Sequence, residues 1–467
     1  MRISRILLSC VIAIASFVVV DVQPAQAFCG FYVAKADTSL YSQASQVVIA
    51  RNGQRTILTM ANDYQGAPKD FALVVPVPVI LKANQVNVGD SSIIDRLDGF
   101  SAPRLVEYED GNPCRQMRRR NEVFPTALSA DSVAVPAEAQ AEKLGVTVEE
   151  TFSVGEYDIV ILSAQESDGL ETWLRQNNYQ IPSGASKLLK PYIRQGLKFF
   201  VAKVNLGAYA DTGFQSLRPL QIAFESPRFM LPIRLGTLNA QGEQDLLVYI
   251  LSPQGQATLT NYRTVKIPSN VNIPEFVEGE FKVFYTSLFE TAYAKEDREA
   301  AFLEYAWDMS NCDPCSAEPL SPDELRQAGV FWIDRPQGLG NRVFISRIHV
   351  RYTRDRFPED LQFQETGNQE LFQGRYVIRH PYRGSADCPQ ARRYQQQVRE
   401  RQEQEAQTLA QLTGWDLDSI RRKINFLAPA AASSVDWWRP VWRQQHSVPT
   451  HSPQRQPLNW WQRLWSQ

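Results

Sequence analysis

The chain has 467 residues, of which 43% are hydrophobic, so it is long enough to bury a substantial core. Its 49 Lys and Arg residues nearly balance 51 Asp and Glu, which gives no electrostatic case for nucleic-acid binding. Only four His residues are present, and this scarcity leaves few candidates for metal binding or His-dependent catalysis.

The first 27 residues have the pattern of a cleavable secretory signal peptide. Arg2 and Arg5 precede an apolar stretch at 6–20, and Ala25-Gln26-Ala27 is a small-x-small site. We predict cleavage before Phe28 and no lipid anchor, because the residue directly after the cut is not Cys. No later segment is as apolar as a spanning helix. The mature chain is therefore expected to be exported, periplasmic or extracellular, and soluble or peripheral to a membrane.

Residues 28–270 are predicted to form a β-rich α+β region. Apolar runs at 47–50 and 56–60 flank Asn52-Gly53, a pair that suits the tight turn of a β-hairpin. The Val-rich run 71–80 contains two prolines that cannot donate to a sheet, which favours an edge strand. Further strands are predicted at 157–163, 220–224, 246–251 and 258–267, a helix at 169–177, a helix-to-strand unit at 187–204, and a surface excursion at 115–142.

Residues 271–390 are predicted to form a second α+β region. Its longest helix is expected at about 281–307, and strands are expected at 342–352 and 375–378. Ser321-Pro322-Asp323-Glu324 has the pattern of a helix start, with a serine cap and Glu at the third position. Together the two regions predict an α+β fold with several helices and a largely antiparallel or mixed β-sheet body.

The composition changes after Cys388. Residues 391–427 are predicted to form a solvated helical segment, because 392–412 carries only a thin apolar stripe. Residues 428–467 are rich in Ala, Pro, Gln and Ser, and disorder is expected there. This tail contains two Trp-rich motifs: Trp437, Trp438 and Trp442, then Trp460, Trp461 and Trp465. Such cationic, Trp-rich pieces suit a membrane headgroup layer, a glycan, a partner groove or the protein's own apolar surface.

Several segments together resemble an uncharacterised family of exported bacterial proteins, domain of unknown function 2330. The segments are Phe28-Cys29-Gly30, Tyr64-Gln65-Gly66, Phe71-Ala72-Leu73-Val74-Val75-Pro76-Val77-Pro78, Cys312-Asp313-Pro314-Cys315, and Ser346-Arg347-Ile348-His349-Val350-Arg351-Tyr352 with Phe357-Pro358-Glu359-Asp360-Leu361. They span most of 28–388 and leave the tail uncovered. The resemblance implies an exported bacterial protein and brings no activity and no catalytic residue.

Five cysteines remain after the predicted cleavage: Cys29, Cys114, Cys312, Cys315 and Cys388. In an oxidising compartment they are expected to form structural disulfides, with one cysteine left over. The preferred pairing joins Cys29 to Cys114, and Cys388 to either Cys312 or Cys315.

Two other uses of the cysteines stay open. Cys312-Asp313-Pro314-Cys315 allows a redox-active dithiol, but such a site needs its first cysteine at a helix N-terminus after a strand, and the preceding segment reads as helix. A zinc site would use Cys312, Cys315, His380 and Cys388, of which the last two are irregularly spaced. We favour the disulfides and predict no metal and no cofactor.

His349 lies in an alternating strand, where packing or hydrogen bonding is expected rather than catalysis. Arg347 and Arg351 share one face of that strand. The nearby charged residues are Arg354, Arg356, Glu359 and Asp360. This set forms either an anion-binding patch or a solvated, salt-bridged sheet edge, and we favour the sheet edge.

The sequence contains no P-loop, dinucleotide-binding, zinc-protease, serine-hydrolase or EF-hand motif. We therefore predict no catalytic residues. The leading hypothesis is a non-enzymatic binding or structural module of the cell envelope, whose tail contacts an envelope surface or another envelope protein. The alternative is a periplasmic thiol–disulfide oxidoreductase or another hydrolytic enzyme, since paired catalytic acids need not be close in sequence.

Overall fold

Two β-sheets face each other across the main hydrophobic core, and helices cover their outer faces. The computed structural model describes residues 31–34, 41–42, 45–61, 64–65, 71–114, 146–177, 184–212, 217–238, 242–311, 313, 317–333 and 342–427. Several predicted features lie outside the described residues: the signal peptide, the excursion at 115–142, Cys29, Cys312, Cys315 and the six Trp residues of the tail.

In chain order the strands are β1 (Phe31–Ala34), β2 (Tyr41–Ser42), β3 (Ser45–Asn52), β4 (Arg55–Ala61), β5 (Tyr64–Gln65), β6 (Phe71–Val77), β7 (Val86–Val88), β8 (Arg104–Glu109), β9 (Val146–Val154), β10 (Tyr157–Ala164), β11 (Lys198–Val204), β12 (Leu220–Glu225), β13 (Met230–Leu231), β14 (Gln244–Ser252), β15 (Ala257–Leu259), β16 (Arg263–Lys266), β17 (Val271–Asn272), β18 (Ala300–Asp308), β19 (Phe344–Tyr352), β20 (Leu361–Glu365), β21 (Phe372–Gln373) and β22 (Arg375–His380). The α-helices of the described residues are α1 (Ser91–Ser101), α2 (Ser167–Gln176), α3 (Ala185–Arg194), α4 (Leu206–Thr212), α5 (Phe281–Lys295), α6 (Pro322–Gln327), α7 (Pro389–Thr413) and α8 (Leu417–Lys423). Short 3₁₀-helices lie at Ala83–Gln85, Arg234–Leu238 and Glu275–Glu280.

The smaller of the two facing sheets has five strands in the order β1, β6, β11, β10, β9, and every neighbouring pair is antiparallel. The larger sheet has the order β16, β18, β19, β14, β3, β4, β12, β7, and β21 also pairs with β18. In the larger sheet β14 pairs with β3, and β16 with β18, in parallel. The larger sheet combines strands from both predicted regions, since β3 and β14 precede residue 270 whereas β18 and β19 follow it. These features confirm the predicted α+β fold with a largely antiparallel, mixed sheet body.

Apolar side chains explain how the layers hold together. Residues such as Leu73 and Ile161 of the smaller sheet meet Ile49 and Leu303 of the larger sheet, and all four are at most 2% exposed. Burying each such side chain contributes about 1.5–3 kcal/mol. The outer face of the smaller sheet packs on α2 and α3, and that of the larger sheet on α1 and α6. A fourth cluster joins α5, α7 and α8 to β22.

Several local predictions are confirmed. β3 and β4 form the predicted hairpin, and Gly53 has φ of 63°, which this turn requires. Ser321 caps α6, and Glu324 completes the capping box. The predicted C-terminal helix is α7, which ends at Thr413 and is capped by Gly414 with φ of 72°. Among the described residues, no helix is both long and apolar enough to cross a membrane.

The predicted helix at 281–307 is wrong in its second half. α5 ends at Lys295, and Asp297 and Arg298 then adopt φ of 56° and 61°. The following residues form β18, whose side chains are almost all buried. Because β18 is covered on both faces, it lacks the polar alternation by which a strand is recognised in a sequence, and its apolar run reads equally well as helix.

Two strand predictions need correction. β6 is not an edge strand, because it lies between β1 and β11. However, β1 pairs with it only as far as Val74, so among the described residues the part of β6 that contains Pro76 pairs with β11 alone. The predicted strand at 258–267 is two strands, β15 and β16, which belong to different sheets.

Candidate functional site

A row of charged side chains crosses one face of the larger sheet. Arg347, His349 and Arg351 alternate along β19, and alternate residues of a strand point to the same face. Neighbouring strands contribute two acids, Glu304 from β18 and Asp245 from β14. The two acids lie on either side of the histidine, so cationic and anionic groups follow one another across three adjacent strands.

His349 is held between two carboxylates. Its Nδ1 donates to Oε1 of Glu304 at 2.8 Å, and its Nε2 donates to Oδ1 of Asp245 at 3.0 Å. An imidazole that faces a carboxylate at each nitrogen carries both protons. Burial alone would lower the pKa of His349, but the charge and hydrogen bonds of these two carboxylates raise it to about 9. The ring also stacks on Phe289 of α5, with 4.0 Å between centroids.

Glu304 is the centre of the row and is 1% exposed. Besides His349, its carboxylate accepts from Nε of Arg347 at 2.6 Å and from the hydroxyl of Tyr285. Burial would raise the pKa of Glu304, but the charges of His349 and Arg347 hold it at about 2. Glu304 is therefore an ionised carboxylate in the protein interior.

A register shift places Glu304 in this position. Leu303 lies opposite Ile348, but the next paired residue of β18 is Tyr305, which lies opposite Arg347. The pairing skips Glu304, as in a β-bulge, where two residues of one strand face one residue of the other. Glu304 thereby reaches both Arg347 and His349.

Both ends of the row are also paired. Arg347 NH1 donates to Asp98 Oδ1 at 2.6 Å, and Arg351 NH1 donates to Glu290 Oε2 at 2.7 Å. Arg351 also donates to both oxygens of Asp245, each at 2.8 Å. The full order, named the charge row below, is Asp98, Arg347, Glu304, His349, Asp245, Arg351 and Glu290. Every member contacts a group of opposite charge, which offsets the large cost of burying each charge alone.

The geometry of the charge row suits a structural role. At neutral pH the His349 imidazolium has no lone pair with which to accept a proton from a substrate. The predicted packing and hydrogen bonding of His349 are confirmed. The hydrogen bonds and ion pairs of the charge row link β14, β18 and β19 to α5 and, through Asp98, to α1.

The predicted salt bridges of the arginine patch are confirmed, but its predicted location at a solvated sheet edge is wrong, as is the alternative of an anion-binding patch. β19 is an interior strand between β18 and β14, so Arg347 and Arg351 lie neither on a solvated edge nor at an open anion site. Arg356 pairs with Glu299 at 3.1 Å, and Arg354 donates to the backbone oxygen of Thr237 at 3.3 Å. The remaining acids also have partners: buried Asp360 accepts from Arg234 and Tyr192, and Glu359 accepts from Asn261.

Cys114 and Cys388 form a disulfide, with 5.9 Å between their Cα atoms. The preferred pairings, Cys29 with Cys114 and Cys388 with Cys312 or Cys315, are therefore wrong. The sheet explains the observed pair: β8 and β22 are adjacent and parallel, so the segments that follow both strands leave at the same end. Cys114 and Cys388 lie on these two segments, 274 residues apart in sequence.

The same disulfide removes Cys388 from the predicted zinc site, because an oxidised cysteine has no thiolate to offer a metal. His380 instead lies 2.7 Å from Glu107. Among the described residues, Glu107, Glu278 and His380 place potential ligand atoms within 4.8 Å of one another. Both glutamates are exposed, and the His380–Glu107 contact is that of an ordinary surface ion pair.

The sequence argument against redox chemistry at Cys312 and Cys315 assumed a helix directly before Cys312, and that prediction is wrong. The segment before Cys312 is β18, a strand, whereas the next helix is α6, which begins at Pro322. Both cysteines lie outside the described residues, so their use stays a prediction.

Comparison with protein-family models finds a match to a family described as an uncharacterized protein conserved in bacteria (DUF2330), over residues 23–364. That match covers well over half of the chain. The chain belongs to this family. Comparisons with curated proteins and with solved structures return no match. All members of the charge row lie within the part of the chain that the DUF2330 model covers, whereas β22, α7, α8 and Cys388 follow it.

The acids of the charge row were not identified from the sequence. Glu304 interrupts an otherwise apolar run, Ala300-Ala301-Phe302-Leu303-Glu304-Tyr305-Ala306-Trp307. A lone acid in such a run is a signal for a buried, paired carboxylate, because an unpaired charge would be too costly there. Asp98 and Asp245 carry no comparable signal, since each lies beside polar or turn residues.

Proposed function

We propose that this DUF2330 protein is an exported, non-catalytic binding or structural module of the bacterial cell envelope. Its body is held closed by a disulfide, and its Trp-rich tail contacts a membrane surface or an envelope partner. The observation that carries the proposal is the Cys114–Cys388 disulfide. Disulfides persist in oxidising compartments and are rare in the cytosol.

Two further features support this proposal. Residues 1–27 have the charge, apolar and small-residue pattern of a signal peptide, which is consistent with an oxidising destination. In the charge row both ring nitrogens of His349 face a carboxylate, an arrangement that leaves neither nitrogen free to take a proton from a substrate.

Export is tested by expressing the full chain and a matched chain without residues 2–27 in a bacterial host. We expect the full chain in the envelope or periplasmic fraction, beginning at Phe28, with Cys114 and Cys388 linked in a non-reducing peptide map. The shortened chain should remain in the cytoplasm with both thiols reduced. A full chain that retains residues 1–27 in the cytoplasm would show the export proposal to be wrong.

The role of the tail is tested by sedimentation with anionic liposomes. Three mature proteins are compared: the complete chain, a chain ending at residue 434, and a complete chain with the six tail Trp residues changed to Ala. Binding by the first alone is expected, because indole rings partition into the headgroup layer. Equal sedimentation of all three would exclude a membrane role for the Trp motifs.

A further inference from the structure

A row of basic side chains forms the solvent face of α3. Lys187, Lys190 and Arg194 are exposed, whereas Leu189 and Tyr192 of the same helix are buried against the smaller sheet. Spacings of three and four residues place the three cations next to one another along one face of a helix. With a rise of about 1.5 Å per residue, the row is about 10 Å long. The outer face of α3 is therefore cationic along most of its length.

None of these three cations has an acidic partner among the described residues. Other helices pair a cation with an acid of the same helix, as Arg175 with Glu171 in α2 and Arg421 with Asp418 in α8. The sequence explains the difference, because residues 172–210 contain six Lys and Arg residues and no Asp or Glu. The chain is nearly neutral as a whole, but this segment is strongly cationic.

Most of these charges act against the stability of α3. Lys187 lies in the first turn, where the helix dipole favours acids, and α3 has no acid there. Lys190 follows Lys187 by three residues and precedes Arg194 by four, so both pairs are like-charge neighbours that repel each other. Only Arg194, in the last turn, suits the dipole. A loss of stability of this kind is common where residues serve binding.

A fourth cation joins the row from a different segment of the chain. Arg228 lies between β12 and β13, is exposed, and donates through NH1 to Oε1 of Gln195 at 3.3 Å. Gln195 directly follows Arg194, so Arg228 lies at the C-terminal end of the row. In the part of the chain that the structure describes, Arg228 also has no acidic partner. These four residues, named the α3 basic face below, are Lys187, Lys190, Arg194 and Arg228.

We propose that the α3 basic face binds a linear acidic polysaccharide, whose carboxylate groups pair with the four cations. A row of charges along a helix matches a polymer that carries anionic groups at regular intervals, because several weak ion pairs then form on one chain. The choice of a polysaccharide of the cell envelope over a nucleic acid rests on the proposed export of this protein. The proposal gives the envelope-binding module a partner of defined chemistry.

The surroundings of the α3 basic face favour a soluble polymer over a membrane. Helices that lie in a membrane interface bury an apolar face among the lipids, whereas α3 packs its apolar side chains against the smaller sheet. Single-stranded nucleic acids stack their bases on exposed aromatic rings, and the aromatic residue of α3, Tyr192, is buried. The large hydrophobic side chains exposed among the described residues all lie outside α3: Tyr108, Val148, Leu206, Val283 and Leu371.

The test is isothermal titration of the full, oxidised mature chain with polygalacturonate, with dextran as a neutral polysaccharide. We expect saturable binding of polygalacturonate at about 50 mM salt, affinity weaker by about tenfold or more at about 500 mM salt, and no binding of dextran. Changing Lys187, Lys190 and Arg194 together to Gln should weaken binding by about tenfold or more. Arg228→Gln alone should weaken binding by about two- to fivefold.

The matched control changes Lys282, Arg392 and Arg393 together to Gln. These residues are exposed on α5 and α7, so the control loses the same charge from other surfaces. Its affinity should stay within about twofold of the unmodified chain, since distant exposed charges are screened. The triple variant of α3 should resist urea at least as well as the unmodified chain, because it removes repulsion within the helix. Weaker binding by that variant then cannot come from unfolding.

Four results would overturn the proposal: no saturable binding of polygalacturonate, equal binding of dextran, equal affinity at the two salt concentrations, or equal weakening by the two triple variants. Tighter binding of phosphatidylglycerol vesicles or of oligo(dT), lost in the α3 triple variant, would also overturn it by assigning the face to a membrane or a nucleic acid. The salt and polymer comparisons use the unmodified protein. Every variant carries the same tail, and export does not enter the measurement, so a failure here leaves the proposed envelope function standing, and the reverse also holds.

Discussion

Two carboxylates buried in the same protein have opposite environments. Glu304, in the charge row, accepts from His349, Arg347 and Tyr285, and its pKa is lowered to about 2. Glu405 lines a cavity of about 210 Å³ between α7, α8, β22 and the 3₁₀-helix Glu275–Glu280; its Oε1 has no hydrogen-bond partner, and burial raises its pKa to about 7. Burial of an acid alone therefore does not identify a binding site. The difference lies in the groups around each carboxylate: three donors reach Glu304, whereas Arg401 Nε lies 3.4 Å from Oε1 of Glu405 without a hydrogen bond.

The two regions also differ in their relation to the family. The charge row lies within residues 23–364, which the DUF2330 model covers. The cavity takes Arg379, Gln402, Glu405 and Lys423 from the chain beyond residue 364. The structural row thus belongs to the segment that defines the family, whereas the cavity requires the C-terminal helices that the disulfide fastens to the body.

The largest expected effect comes from Glu304→Gln. This change leaves Arg347 and His349 without their shared counter-charge in the interior, and the free energy of unfolding should fall by about 3–5 kcal/mol. The matched control is Glu290→Gln at the exposed end of the row, where the side chain is 43% exposed and the loss should stay within about 1 kcal/mol. Urea denaturation measures both values. Equal losses would mean that the centre of the row is no more important than its end.

Removal of the disulfide should have the next largest effect. Changing both Cys114 and Cys388 to Ser frees a crosslink between positions 274 residues apart and should lower the free energy of unfolding by about 2–5 kcal/mol. Urea denaturation of the oxidised parent and the double variant gives the difference. Reductant should destabilise the parent more than the variant. A non-reducing peptide map that joins Cys114 to another cysteine would contradict the pairing itself.

His349 gives the charge row a pH dependence. Because the folded-state pKa of about 9 exceeds the ordinary value of 6.5, the stabilisation is complete below pH 6.5 and disappears as the pH rises through 9. The expected loss is about 3 kcal/mol for the full shift. Urea denaturation from pH 6.5 to 9 measures it, and His349→Gln should remove most of the slope. A flat profile for the unmodified protein would show that the imidazole is not held as a cation.

Local chemistry made part of this structure predictable. Asn52-Gly53 identified the first hairpin, and Ser321 with Glu324 identified the start of α6, because these residues act within a single turn. The start of α5 was predicted, but its end was not. Asp297 and Arg298 both adopt positive φ values, and although Asp tolerates such values better than most residues, Arg rarely takes them, so no Gly marked the break before β18.

The long-range features were not predictable in this way. Cys114 meets Cys388 only because β8 and β22 are parallel neighbours, which depends on the whole topology. Glu304 reaches Arg347 through a register shift that sequence spacing does not reveal. Glu405 lies among polar residues of α7 and reads as a solvated acid, because its burial comes from α8 and the 3₁₀-helix that close over it.

The smallest expected effect is that of Glu405→Gln, which should stabilise the protein, whereas Glu304→Gln should destabilise it. The folded-state pKa of Glu405, about 7, lies above its ordinary value of 4.5, so this group makes the protein less stable as the pH rises from 4.5 through 7. Glu405→Gln should therefore raise the free energy of unfolding by about 1–3 kcal/mol at about pH 8 and change it little at about pH 5.

Urea denaturation at the two pH values decides this prediction, with Glu400→Gln as the control for a charge lost from the surface of the same helix. Destabilisation by Glu405→Gln at both values would mean that Arg401 compensates the carboxylate fully, and the contrast with Glu304 would disappear. Stabilisation at high pH alone would show that the ionised Glu405 carboxylate lowers the stability of the fold. The same substitution, Glu to Gln, would then separate a well-paired buried carboxylate from a poorly paired one by the sign of its effect.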